Sequence, residues 1–242
     1  MHWAERQDAL QQWTASAEGR KYAVAVRKRL REMLPSVFGY IGVQVGEPMA
    51  EVDLLSHSGL LKHICVGHSA SGQANLVADP HHLPLATGKA NCVLLANVLD
   101  CAEDPHQVLR EADRILQPDG QLIIIGFNPF SWHGLKRSLP FLSRKMPDLG
   151  PMIPSAQVID WLGLLNFESE KRVTSHTGKR TESHSNRWWQ RWANPLADGY
   201  IIRAKKRTHL ITPITAIPNS RSKVIHAVFV GAQRGHKREE KR

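Results

Sequence analysis

The stretch Asp79–Asn128 reads DPHHLPLATGKANCVLLANVLDCAEDPHQVLREADRILQPDGQLIIIGFN, and its pattern decides how the rest of the chain is read. Two apolar runs without alternation, Cys92–Leu99 and Gln121–Asn128, flank a segment with helical spacing. Unbroken apolar runs mark strands covered on both faces, as in a parallel sheet sandwiched by helices. Between them, Asp104 is placed to cap a helix, Pro105 suits its first position, and Gln107 completes a capping-box spacing. Val108, Leu109, Ala112, Ile115 and Leu116 recur as one apolar stripe, so Asp104–Leu116 is predicted to be an amphipathic helix. The QPDG at Gln117–Gly120 reads as a turn.

The same alternation extends outward. Residues 1–35 read as a helical segment, with Tyr22, Val26, Leu30 and Met33 in helical spacing and Pro35 stopping it. Strands are expected at Tyr40–Gly46, Lys62–Gly67 and Ala74–Asp79, with a short helix over Met49–Leu60. Beyond the central stretch come a helix at Ser155–Leu165 and two alternating strands, Phe167–Val173 and Asp198–Arg207, closing as an antiparallel hairpin. A polar, Trp-rich insertion is expected at 177–197 and a basic, poorly ordered tail at 212–242, leaving 36–211 as the main domain. The fold class implied is a three-layer α/β domain with a mostly parallel sheet. Its first half is reduced. Only His68–Gln73 separates the second and third strands, whereas parallel neighbours ordinarily need a crossover of about a dozen residues. Either those strands pair differently or one is not a sheet strand.

Composition narrows the function classes. With 242 residues and 42% hydrophobic content the chain can bury a core. No apolar run approaches the roughly 20 residues of a membrane span, and the charged start MHWAERQDALQQW points to the cytoplasm. Cys65 and Cys92 sit in strand-like runs as small core residues. The thirteen histidines show no metal-ligand spacing, so no metal site is expected. The nicotinamide-type Gly-x-Gly-x-x-Gly and the hydrolase elbow Gly-x-Ser-x-Gly are both missing. The net charge of +10 gathers on Arg20–Arg31 and in the tail, where it would suit phosphate backbones or anionic lipid.

The central stretch resembles class I S-adenosylmethionine-dependent methyltransferases of the type 11 group. The parallels are Asp79 followed by LPL at Leu83–Leu85, a buried strand reaching Asn97, DPHQVLREADRIL and PDG. GFNP at Gly126–Pro129 and DWLGLLNFE at Asp160–Glu168 are similar to a bacterial YafS-type branch of that family. The resemblance implies a Rossmann-like fold, S-adenosylmethionine as cofactor, and methyl transfer to an unidentified acceptor. It implies that Asp79 accepts a hydrogen bond from the adenine amino group, with Pro80 beside it and Leu83 flanking the base. It also implies that Asn97, at the fourth strand's end, faces the methyl sulfonium; a plain strand-end cap fits that residue equally.

The family's first motif, an acid followed by Gly-x-Gly-x-Gly, is degenerate here. Gln44 stands at the acid, Gly46 at the first glycine, Pro48 at the second and Ala50 at the third. Proline offers no amide hydrogen, and Glu47 adds a negative charge suited to the sulfonium or an amino group. The acid expected at the second strand's end for the ribose hydroxyls is missing too, since that strand closes Gly67-His68-Ser69. Cofactor-binding candidates are therefore Gly46, Glu47, Asp79, Pro80, Leu83 and Asn97. Asn128 and Trp132 line the acceptor side by strand-end placement, and no residue qualifies as a general base. The acceptor expected is a small molecule or lipid-like compound, with RNA open through the basic ends. The rival reading is a non-catalytic module on a methyltransferase fold, binding RNA or a membrane surface, with Trp188, Trp189 and Trp192 as stacking or interfacial faces.

Overall fold

The computed structural model describes residues 3–47, 53–69, 74–131, 150–175, 182–183 and 199–207. Two helices open the chain, α1 (Trp3–Thr14) and α2 (Ala17–Met33). Ser16 caps α2 by accepting the Gly19 N–H at 3.1 Å. The strands are β1 (Phe38–Val45), β2 (Gly59–Gly67), β3 (Leu76–Val77), β4 (Ala90–Ala96), β5 (Leu116–Phe127), β6 (Phe167–Ser175), β7 (Glu182–Ser183) and β8 (Gly199–Lys206). Between them lie α3 (Val98–Cys101), α4 (Pro105–Ile115) and α5 (Ser155–Leu164). Among the described residues these strands form one sheet in the order β3-β2-β1-β4-β5-β8-β6-β7. The first five are parallel; β8 runs antiparallel to β5 and β6 antiparallel to β8.

Both faces are covered, as the unbroken apolar runs require. Val93, Leu95, Leu122 and Ile124 pack beneath α4 and α5, while Leu94, Ile123 and Ile125 pack against α1 and α2. Tyr22, Val26, Leu30 and Met33, the expected stripe of α2, are all buried. The Asp104 side chain accepts the Gln107 N–H at 3.1 Å, so the predicted cap is formed. No described helix is long and apolar enough to cross a membrane.

Four local expectations change. The described part of the helix read over Met49–Leu60 is a turn that leads into β2 at Gly59. The second and third strands do pair in parallel, but β3 is two residues long and aligns with the last two of β2, Val66↔Leu76 and Gly67↔Val77. The chain then steps back only about one residue, some 3.3 Å, rather than the length of the sheet, and no crossover helix is needed. The fourth strand ends at Ala96; Asn97 turns left-handed (φ 54°) and Val98–Cys101 form a single helical turn. Gln117–Gly120 interrupts β5 instead of preceding it. Leu116 already pairs with Ala90 before the register shifts, and Asp119 takes φ 62°. Of the Trp-rich stretch 177–197, only Glu182–Ser183 is described, as β7; the remainder, Trp132 and the tail 212–242 lie outside the described residues.

Candidate functional site

Strand order reverses between β1 and β4: the chain runs outward from β1 to β3, then returns to lie on β1's other side. At such a switch point, loops leaving the strand ends diverge and open a crevice. Gly46, Glu47, Gly67, Asp79 and Asn97 all leave the carboxyl ends of these strands.

Gly46 adopts φ 86°, and a Cβ there would stand 2.7 Å from Val98 Cγ2 and 2.8 Å from the Ala96 carbonyl oxygen. Glycine is thus required twice over, by conformation and by the approach of β4. Gln44, at the motif's acid position, is buried and closes the β1–β2 connection. Its Nε2 donates to Gly46 O (3.2 Å) and its Oε1 accepts from Leu54 N (2.8 Å). Glu47 is 2% exposed. Its backbone is gripped by α1: the N–H donates to Gln7 Oε1 (3.3 Å), and the carbonyl accepts from Gln11 Nε2 (2.9 Å).

The same helix reaches two further strand exits. Asp8 pairs with His68 Nε2 at 2.7 Å beyond β2, and Arg6 Nη1 donates to Cys101 O at 3.0 Å beyond β4. α1 therefore lies across the ends of β2, β1 and β4. Sequence reasoning treated it as a plain helical segment. The signal available was a glutamine, Gln7, inside the stripe Trp3–Gln7–Leu10.

Asp79 stands exposed just past β3. Its Oδ1 accepts both the backbone N–H of His81 (2.9 Å) and the ring Nδ1–H (2.6 Å), and Oδ2 makes no hydrogen bond among the described residues. The Asp104 N–H donates to His81 Nε2 at 3.2 Å, which leaves Nδ1 as the protonated nitrogen. Partial burial works most strongly against ionisation of Asp79, but the hydrogen bonds from the His81 backbone N–H and ring hold its carboxyl below the ordinary value. Pro80 and Leu83 lie buried beside it.

Behind this loop sits a pair the sequence reading passed over. Glu111, on the buried stripe of α4, accepts the Leu83 N–H at 3.0 Å and holds Arg114 through Nε (2.9 Å) and Nη2 (2.8 Å). Arg114 also donates to the carbonyls of Leu83 and Leu85. Its guanidinium, foremost, and the Leu83 N–H keep the Glu111 carboxyl below its ordinary value against the opposing effect of burial.

A depressed folded value means stability that is complete above the unfolded value near 4.5 and lost as pH falls through the folded one. The thermal midpoint is accordingly expected to drop as the pH falls below about 4.5, and melts of Glu111→Gln over that range should fall less steeply.

Asn97 is wholly buried and turned toward α2. Tyr22 Oη and the Asn97 side-chain amide exchange hydrogen bonds at 3.2 and 3.0 Å, and Nδ2 lies 3.5 Å from Asp100 Oδ2. Asp100 in turn accepts the Phe127 N–H at 3.0 Å, tying α3 to the tip of β5. The side chain of Asn97 is thereby directed to the helix–sheet junction. Asn128 is half-buried and accepts the Phe130 N–H at 3.2 Å, making a tight turn at the exit of β5. Beneath it Trp13, Tyr22 and Phe127 form an aromatic cluster with ring centroids 4.9–5.6 Å apart.

Residues 48–124 match the methyltransferase domain family. The chain is 34% identical over 223 residues to the Escherichia coli (strain K12) protein YafS, covering 87% of this chain and 85% of that one. A shorter stretch of 83 residues is 31% identical to the demethylmenaquinone methyltransferase of Chlamydia pneumoniae, 34% of this chain and 36% of that protein. Among solved structures, an S-adenosylmethionine-dependent methyltransferase from Thermotoga maritima superposes with a TM-score of 0.58 at 16% identity, over 83% of this chain and 99% of that one.

Proposed function

The chain belongs to the YafS family, is a class I methyltransferase and uses S-adenosylmethionine; from that premise we propose that it methylates a small or lipid-like acceptor in the cytoplasm. The cofactor supplies a transferable methyl on a sulfonium. The residues present suit it. Asp79 offers Oδ2 as an acceptor for the purine's amino group, and its ionised state favours accepting over donating. Pro80 and Leu83 give the base an apolar flank. The Asp79 carboxyl, held by two His81 hydrogen bonds at the exit of the third strand, is the single observation that carries the reading.

In this proposal the protein's contribution to transfer is placement and water exclusion, and no residue is assigned as a general base. Asn97 supports the site by fixing the exit of β4 against α2, and Asn128 shapes the acceptor side. The Chlamydia pneumoniae relative named demethylmenaquinone methyltransferase supports the lipid-like class of acceptor.

Isothermal titration of the wild type with S-adenosylhomocysteine is expected to give saturable binding, weakened about tenfold in Asp79→Ala, the loss of one charge-assisted bond. Labelled S-adenosylmethionine should then pass its methyl group to quinol-type acceptors and not to RNA. Absence of binding at millimolar ligand would instead leave a module that keeps the fold without the chemistry.

A further inference from the structure

We propose that Glu47, reaching from the end of β1 across the bare last residue of β2, accepts the two hydroxyls of the cofactor's ribose. The inference rests on Asp79 holding the base. Gly67 closes β2 and stands in register beside Val77 of β3. A Cβ built on it would overlap Glu47 Oε2, come 3.1 Å from Glu47 Cδ and 2.7 Å from the Ala74 methyl. The backbone of Gly67 is not in the left-handed region, so what the glycine provides is room, and the Glu47 carboxylate fills it. That carboxylate is seated, not waving in solvent: the residue is 2% exposed and its backbone is held on both sides by Gln7 and Gln11.

The order of the strand tips selects the ligand group. Neighbouring strands lie about 4.8 Å apart, so a carboxylate over the end of β2 stands one strand from the exit of β3 that leads to Asp79. In the cofactor, the base is bonded directly to the ribose, and the tail with sulfonium, ammonium and carboxylate extends beyond. A ligand laid from Asp79 along the tips meets β2 with its ribose, and β1 and β4 with its tail. A vicinal diol presents two O–H donors on adjacent carbons, and a carboxylate presents two acceptor oxygens with matching spacing. The cofactor's ammonium would need the tail folded back over the sugar to reach the same oxygens.

The deciding measurement removes the hydroxyls from the ligand. Wild-type protein is expected to bind S-adenosylhomocysteine about 30-fold or more tightly than its 2′,3′-dideoxy analogue, the effect of losing charge-assisted hydrogen bonds. In Glu47→Gln the two ligands should bind within about threefold of each other, and Glu47→Asp, with the charge on a shorter arm, should fall between. Asp79→Ala should weaken both ligands alike and leave their ratio unchanged. Equal affinities in the wild type, or a ratio preserved in Glu47→Gln, overturns the assignment while leaving the Asp79 reading standing. Failure of S-adenosylhomocysteine to bind the wild type at all overturns both. Near-ultraviolet circular dichroism of each variant checks its fold; if Glu47→Gln does not fold, the wild-type ratio and Glu47→Asp decide.

Discussion

Asn97→Ala is expected to lower the free energy of unfolding by about 2–4 kcal/mol. Two costs combine. Asn97 sits at φ 54°, a region that asparagine tolerates and alanine enters at about 1 kcal/mol or more. Its amide also exchanges two hydrogen bonds with the Tyr22 hydroxyl inside a wholly buried junction. Removing it strips Tyr22 of both bonds where no water reaches, a further cost of about 1–3 kcal/mol. Asn97→Gly separates the two terms. It keeps the backbone conformation and loses the bonds, so it should recover about 1 kcal/mol of the loss. Urea unfolding of the three proteins tests this, provided the slope is unchanged. Methyl transfer by Asn97→Gly, corrected for folded fraction, should stay within a few-fold of wild type; a large fall in kcat with stability intact would return Asn97 to the reacting methyl.

The contrast between Asn97 and α4 shows what the sequence makes legible. α4 announces itself because cap, proline and stripe all act within a dozen residues. β4 and β5 do so because burial on both faces demands an unbroken apolar run. Asn97 carries no such local mark: the left-handed turn is decided by Tyr22, 75 positions earlier, which fills the space beside it. The two-residue β3 is equally hidden, since its brevity follows from where Leu76 meets Val66 and not from its own side chains. The candidate site divides along the same line. Asp79, Pro80 and Leu83 enter as candidates only through the resemblance to the methyltransferase family, which the segment's order and spacing carry. The seat of Glu47 depends on a glycine twenty positions downstream on another strand, and the grip of Gln7 and Gln11 on a helix packed across the crevice.

Glu111→Ala should cost about 2–4 kcal/mol of stability and also weaken S-adenosylhomocysteine binding, although Glu111 touches no proposed ligand group. Its side chain is 11% exposed against 33% for Arg114, so the pair is only partly shielded, and the lower half of that range is the firmer expectation. Arg114 commits all five of its N–H groups: to both Glu111 oxygens, to the carbonyls of Leu83 and Leu85, and to Thr87 Oγ1. Glu111 in turn fixes the guanidinium and takes the Leu83 N–H. The loop that begins at Asp79 and ends at Thr87 is thus fastened to α4 at its far side by this pair and at its near side by His81. Deleting Glu111 leaves the Arg114 cation without its counter-charge and the Leu83 N–H without its acceptor and lets the loop shift, so the proposed contact of Asp79 with the purine is no longer held in one position. Arg114→Ala should do the same by loosening the carbonyls. Because each residue works through the other, the double variant should cost well under the sum of the singles, with a coupling of about 1–2 kcal/mol in the thermodynamic cycle. Additive losses would mean that the two residues act separately, and unchanged binding in Glu111→Ala would mean that His81 alone suffices to hold Asp79 in place.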